Sequence, residues 1–559
     1  MYTQNFDPVS DSLGLSSIFA ALPVLTLFIL LGGLKMAAQW AALIALGVAM
    51  LVAMIVYSMP VDQTLLSGSE GAVFGLFPIM WIVVTAIWIY NMTVETGHFA
   101  VLRRSFGAIS TDQRVQAVII AFCFGALLEA LAGFGTPVAI TAVMLIALGF
   151  RPIKAASVAL VANTAPVAFG AIAIPIVTLA EITGLPKDDL GAMVGRQTPF
   201  LALVVPLILM GMVDGARGIR QAWPAAVVGG VVFALSQFLC SNYVSVELTD
   251  IVASLLATGA IVLLLRVWQP SEPLVGDTAQ EGGPRPAVAG AEGHNPAMEE
   301  EIRRRDDTKD PPGDVLRAYA PYLIIIVVFA IAQIPAIKDA LAEKPWTTTF
   351  QWPGLDVVTP DDEPLSSLTF NFNWLPAAGT LLLISGLITM VVLKVSPSRS
   401  IKVFGGSLDQ LKWAILTVAS VLALAYVMNQ SGQTITLGLW AAGAGDAFAF
   451  LSSLIGWLGV AVTGSDTSSN ALFGALQVTA AKDAGISPTL LAAGNSSGGV
   501  LGKMISPQNL AIGAAAVGLA GQEGDLFRKV VGWSIALVLI MCVLVYLQST
   551  DILGWMVVK

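Results

Sequence analysis

The stretch 459–477, GVAVTGSDTSSNALFGALQ, sets a carboxylate, hydroxyls and an amide in the middle of an apolar region. Ser465, Asp466, Thr467, Ser468, Ser469 and Asn470 follow directly on Gly464. Polar groups at bilayer depth are costly, and non-helical backbone survives there only where protein or a water-filled cavity covers it. The segment therefore reads as two apolar arms around a glycine turn, a hairpin that dips into a membrane and returns. A second stretch has the same form: residues 115–150 contain the turn LAGFGTP at 131–137, with Glu129 beside it.

Composition supports the membrane reading. Of 559 residues, 56% are hydrophobic and only 12% charged, whereas a soluble chain carries roughly a quarter charged residues. Runs such as LSSIFAALPVLTLFILLGGL (15–34) and AALIALGVAMLVAMIVYSM (41–59) reach the roughly 20 residues that a spanning helix needs. The expected fold is all-α and polytopic, with about 12 transmembrane helices plus two re-entrant hairpins. Cys123, Cys240 and Cys542 lie within apolar runs and read as small buried hydrophobes, with no disulfide, metal or cofactor implied. The N-terminal MYTQNFDPVSD lacks a basic region, so the first apolar run is expected to remain as a span.

Loop charges give the orientation, because cytoplasmic loops collect Lys and Arg. Lys35, Arg103, Arg104, Arg114, Arg151, Lys154, Arg217 and Arg220 mark one side, as do Lys394, Arg399, Lys402, Lys412, Arg528 and Lys529. Acidic loops mark the other: Asp62 and Glu70, Glu181 to Asp189, Glu247 and Asp250, and Asp356, Asp361, Asp362 and Glu363 in the loop 339–372. The formal charge of −9 is thus a topology signal, and nothing points to nucleic acid. With the N-terminus outside, 115–150 begins and ends in the cytoplasm, while 432–483 enters from outside.

Each hairpin is followed by an apolar segment with a break: 152–180, with Asn163, Thr164 and Pro166 in VALVANTAPVAFGAIAIP, and 485–520, with Asn495, Ser496, Ser497, Gly498 and Gly499 in LLAAGNSSGGVLGKMISPQ. Two hairpin-plus-broken-helix units inserted from opposite faces form an inverted repeat, the architecture in which secondary transporters place a mid-membrane site. The chain divides into an N-terminal half 1–270, a Gly-, Pro- and charge-rich cytoplasmic linker 271–315 read as disordered, and a C-terminal half 316–559.

At FCFGALLEALAGFGTPVAIT (122–141), NTAPVAFGA (163–171), GRQTPF (195–200), AVTGSDTSSNALF (461–473) and GKMISPQNLAI (502–512), the sequence resembles the L-lactate permease family, which includes glycolate permeases. The early QNFDP and the pair Trp223 and Pro224 fit as well. The resemblance implies uptake of L-lactate and related 2-hydroxymonocarboxylates by proton symport in a bacterial inner membrane.

A small hydroxy acid offers a carboxylate, a hydroxyl and a short apolar tail. Helix N-termini, hydroxyls, amides and a cation suit the carboxylate. Gly135, Thr136, Asn163, Thr164, Ser465, Thr467, Ser468, Asn470, Asn495, Ser496 and Ser497 are the candidate substrate ligands, with Lys503 as the cation. Lys503 read structurally is a lysine snorkelling to the cytoplasmic surface. Proton coupling needs a carboxyl group within reach of the substrate, and Glu129 and Asp466 are the candidates, since intramembrane carboxylates are functional by default. The structural alternatives are a helix N-cap for Asp466 and a hydrogen bond tying the hairpin to its neighbours for Glu129. Pro166 and Pro507 would hold the breaks open. Arg196, Tyr426 and Asn429 read as gating, structural or cavity-lining residues. Sodium coupling of an organic acid is the rival mechanism, since broken helices also expose carbonyls. An enzyme is disfavoured: there is no H-E-x-x-H, no G-x-S-x-G and no paired Asp on facing spans.

Overall fold

The computed structural model describes residues 1–274, 310–360 and 364–558, apart from 35, 134, 333, 366, 367, 520 and 521. Lys35, Asp361, Asp362, Glu363 and most of the linker lie outside the described residues. Pro312–Ala332 is helical, so the last four positions assigned to the linker begin a span instead.

Among the described residues, ten helical stretches are long and apolar enough to cross a membrane, or eleven with one bent pair counted as a single span. The expected twelve differ for local reasons. Lys187–Tyr243 counts once, although Asp214 (φ −140°) and Gly215 (φ 60°, ψ −150°) break it in the middle. Ala378–Val392 has only 15 residues. Two of the ten, Gln113–Leu131 and Gly445–Thr463, are hairpin arms.

The first hairpin runs from Gln113 through the turn at Gly133 and Gly135, then back along Thr136–Ala147. Its ends meet: Gln113 Nε2 donates to the Leu148 carbonyl at 3.2 Å. They meet at the end of the bundle that holds the break in Lys187–Tyr243, where Arg114 reaches Asp214 at 3.2 Å and Lys154 donates to the Val213 carbonyl at 2.7 Å.

The second hairpin comprises Phe448–Thr463 and Asp466–Asp483. The expected arm from 432 is interrupted: Gln433–Ala442 is a separate short helix, ended by Gly443 and by Gly445 at φ +56°. The open end of this hairpin lies beside Glu181 to Lys187, since Thr479 and Lys482 line one cavity with Glu181, Thr183 and Lys187. Residues 181–187 and 213–214 bound opposite ends of one helix crossing, so the two hairpins open at opposite ends of the bundle.

Both breaks exist, with one displaced. Pro152–Ala162 and the helix after Val167 are bent by 66°, and three consecutive non-glycine residues, Ala171, Ile172 and Ala173, take left-handed backbone (φ 44°, 59° and 57°), which costs roughly 1–2 kcal/mol each. In the second unit, 495–499 does not break. It lies inside the continuous helix Pro488–Gly502, and the interruption falls at Lys503–Ile505 and Ser506, before Pro507–Ala516. Gly498 serves close approach: a β-carbon there would stand 2.2 Å from the Ser453 carbonyl oxygen. Small residues let membrane helices pack backbone to backbone, which is how Pro488–Gly502 lies against Phe448–Thr463. Proline and the Ser506 cap start the next helix because proline lacks the N–H that would continue the old one.

The acidic loop 339–372 holds Thr348–Gln351 paired antiparallel with Thr369–Phe372, and Val357–Val358 paired with Tyr2–Thr3.

Candidate functional site

The two hairpin turns and the two breaks converge on one cavity of about 250 Å³. The first hairpin contributes Glu129, Gly133 and Gly135, and the second contributes Thr463, Gly464, Ser465, Asp466, Thr467 and Ser468. The breaks contribute Val167, Gly170, Pro175, Lys503, Gln508 and Asn509. Glycine is required at the second turn: Gly464 has φ +76°, and a β-carbon there would lie 2.6 Å from Gln508 Oε1.

The hairpins and breaks are joined crosswise. Lys503, at the second break, donates to Glu129 Oε1 on the first hairpin at 2.5 Å. Asn470, on the second hairpin, donates to the Pro175 carbonyl beside the first break at 3.1 Å. Each carboxylate is also held within its own unit: Asn163 Nδ2 donates to Glu129 Oε2 at 2.9 Å, and Ser496 Oγ donates to Asp466 Oδ2 at 2.6 Å. Lys503 and Glu129 are buried, at 6% and 2% exposure. Lys503 therefore does not snorkel to the surface; its ammonium points inward to a partner. Among the described lining residues it is the only base.

Asp466 differs from Glu129. It opens the helix Asp466–Asp483 but is not its cap, because Ser465 Oγ accepts from the Ser468 amide at 3.2 Å. It makes no ion pair among the described residues, and its Oδ1 is buried without a hydrogen-bond partner. Behind it runs a chain of donors with one direction. Gln477 Nε2 donates to Asn495 Oδ1 (3.1 Å), and Asn495 Nδ2 to Asn470 Oδ1 (2.9 Å). Asn470 Nδ2 then donates to Ser496 Oγ (3.1 Å), and Ser496 Oγ–H to Asp466 Oδ2. Each bond polarises the next. The chain leaves Oδ1 as the free oxygen, facing Gly499, where a β-carbon would sit 2.3 Å away.

The expected ligands thus fall into three groups. Gly135, Ser465, Thr467, Ser468 and Lys503 line the cavity with Glu129 and Asp466, and Thr136 sits half-buried at the start of the adjoining arm. Asn163, Asn470, Asn495 and Ser496 stand behind the two carboxylates. Thr164 Oγ1 is turned back to the Val161 carbonyl at 2.8 Å, and Ser497 Oγ is buried without a partner among the described residues. Pro166 precedes the short turn Val167–Phe169, and Pro507 opens the helix after the second break.

Arg196 lies elsewhere. It donates to Asn242 Oδ1 at 2.9 Å and to the Met556 carbonyl at 2.8 Å, tying the C-terminal segment to the bundle. Tyr426 and Asn429 line the separate cavity, about 440 Å³, at the open end of the second hairpin. Gln508, Asn509 and Thr417 are polar lining residues that the sequence reading did not single out; the motif GKMISPQNLAI carried the first two, while Thr417 had no signal.

The profile of the family described as L-lactate permease matches residues 16–551. The chain is 42% identical to the L-lactate permease of Salmonella typhimurium, over all of both chains. It is 40% identical to a glycolate permease of Escherichia coli, over 100% of this chain and 99% of that one. Among solved structures it is similar to Neisseria gonorrhoeae MtrF, described as one of a class of antimetabolite efflux pumps. There the TM-score is 0.45 at 16% identity, over 88% of this chain and 84% of that one.

Proposed function

The chain belongs to the L-lactate permease family, and on that premise we propose that it is a secondary active transporter importing L-lactate and related 2-hydroxymonocarboxylates, glycolate among them, by proton symport across a bacterial inner membrane. The observation that carries this reading is the buried Lys503–Glu129 pair at the shared cavity.

An incoming monocarboxylate needs a cation, and Lys503 is the one the cavity offers. The substrate carboxylate takes the place of Glu129 on the ammonium, leaving Glu129 with Asn163 as its donor. A charge buried without its partner costs about 3–5 kcal/mol. A proton taken up by Glu129 removes that cost, so the site binds one proton with each anion and its net charge is unchanged. Charge balance, not proximity alone, links the two cargoes. Ser465, Ser468 and Asp466, in the same lining, supply acceptors and donors for the α-hydroxyl. The hairpins open at opposite ends of the bundle, which suits exposure of the cavity to each side in turn.

The test is uptake of labelled lactate into proteoliposomes, with a pH gradient and a sodium gradient imposed separately. Accumulation driven by the pH gradient without sodium, with internal acidification, is expected. An absolute sodium requirement would overturn the proton reading and leave the sodium-coupled alternative.

A further inference from the structure

Asp250 is a buried carboxyl group that the substrate cavity does not use. Its neighbourhood in sequence suggests an external loop acid, yet it sits in the first turn of Thr249–Val267 with no exposed surface. That helix packs against Gly125–Ala132, the hairpin segment that carries Glu129, and the two carboxylates act on each other electrostatically. Glu247, three residues earlier, lines an open cavity with Lys187, to which it is ion-paired. Asp250 thus stands between that outer face and the tip of the first hairpin.

Its surroundings are polar and uncharged. Gln237 Nε2 donates to Asp250 Oδ1 at 2.9 Å, and Thr198 Oγ1 donates to Gln237 Oε1 at 3.1 Å. Next to Thr198, Gln197 Nε2 donates to Gln548 Oε1 at 3.0 Å. Asp250 Oδ2, Gln197 Oε1 and Gln548 Nε2 are buried with no protein partner among the described residues. Buried polar atoms of this kind are ordinarily completed by water. The titratable groups toward Asp250 on the elements around it are Glu129, Cys240, Cys123 and Glu247 with its Lys187. Asp214, Arg217 and Arg220 lie at and beyond the break in Pro199–Tyr243, Arg266 lies in the last turn of Thr249–Val267, and Arg196 is held by Asn242 and Met556. No base among the described residues forms an ion pair with Asp250.

We propose that Asp250 is a proton-relay carboxyl between the Glu247 face and Glu129, on a path separate from the substrate cavity. This rests on the symport reading above. Asp250 gives its proton, through water, to Glu129 as that carboxylate leaves Lys503, and is then reprotonated from the Glu247 side. Gln237 is the positioning residue that fixes which oxygen of Asp250 is free. A relay of this kind keeps the proton off the route taken by the anion.

The experiment uses the full chain in proteoliposomes, with labelled L-lactate and an internal pH dye. For Asp250→Asn, accumulation driven by a pH gradient should fall at least roughly tenfold and its dependence on external pH should flatten, while exchange of external labelled for internal unlabelled lactate stays within about twofold of wild type. Gln237→Met, which keeps the carboxyl, should displace the pH profile. Wild-type accumulation and pH profile in Asp250→Asn would overturn the relay. So would loss of exchange together with accumulation, with an unmoved profile in Gln237→Met, since that pattern is structural. Lactate entry without protons in the wild type would instead sink the symport reading and the relay with it.

Discussion

Lys503 Nζ stands 2.5 Å from Glu129 Oε1, joining two residues that the chain separates by 374 positions. The ion pair therefore bridges the two repeat units at the cavity where both hairpins end. In the proposed mechanism this bridge opens for substrate to bind, which couples the position of one unit to the occupancy of the other. The pair is then a latch as well as a binding group.

The latch has a stability signature. Lys503→Met leaves Glu129 buried without a cation, and Glu129→Gln leaves the ammonium unmatched. Each single change should cost about 3–5 kcal/mol, and the double change should recover most of that. Thermal unfolding of the purified variants in detergent reads this directly. Accumulation driven by a pH gradient should be absent from all three. Additive losses in the double variant would mean that the two groups do not interact.

Ser496 Oγ–H is the last donor in the amide chain that reaches Asp466. A hydrogen bond to a charged group contributes about 1.5–3 kcal/mol, and one pH unit corresponds to about 1.4 kcal/mol. Ser496→Ala should therefore displace the pH profile of lactate uptake by roughly one to two units while leaving the protein folded. An unmoved profile would show that the charge state of Asp466 does not govern uptake. Asp466→Asn should abolish accumulation.

Gly499 faces the free oxygen of Asp466 and has no room for a side chain. Gly499→Ala should cost about 1–3 kcal/mol as overpacking and push Asp466 off its bond to Ser496. Uptake should fall more steeply than the amount of folded protein, measured as folded protein recovered by gel filtration. Proportional losses would reduce Gly499 to a packing residue.

Much of this site is legible in the chain because its parts break a local rule. Glu129 and Asp466 are lone carboxylates in apolar runs, and a glycine turn stands beside each. The pairing of Glu129 with Lys503 is not legible, because nothing local connects a hairpin in one repeat to a break in the other. The second break was misplaced for a related reason. Gly498 and Gly499 break no helix here; they fit against Ser453 and Asp466, and a glycine gives the same sequence signal in either role. Asp250 reads as a loop acid beside Glu247 until the fold turns it inward. Tyr426 and Asn429 lie near the end of Pro397–Gln430 and do line a cavity, the separate one at the open end of the second hairpin rather than the site.

At the other end of the first hairpin, Arg114 is fully buried and held by Asp112 at 2.6 Å, Asp214 at 3.2 Å and Gln221 at 2.7 Å. Burial raises the Asp112 carboxyl, but the Arg114 guanidinium and the Leu274 amide outweigh it and hold it below the usual range. Its contribution to stability is thus present above the ordinary aspartate value, about 3.9, and is lost as pH falls through the lower folded value. Arg114→Met strands Asp112 and should cost about 3–5 kcal/mol near neutral pH, with the gap to wild type narrowing in acid. Unfolding midpoints across a pH series check both parts.

In the proposed mechanism the one lysine among the described lining residues sets the limit on substrate charge. A monocarboxylate that displaces Glu129 finds one ammonium, and the proton taken by Glu129 restores neutrality. A dicarboxylate brings a second negative charge into a lining whose other described ionisable groups are Glu129 and Asp466, so its second carboxylate would be buried beside acids with no cation among them. The desolvation cost of such a charge is several kcal/mol, enough to lower affinity by 10³-fold or more at 1.4 kcal/mol per decade. Unlabelled glycolate should therefore compete with labelled lactate, while tartronate, which adds one carboxylate to glycolate, should not compete at a hundredfold higher concentration. Competition by tartronate near the glycolate concentration would require a second cation at the site and would displace Lys503 from its assigned role.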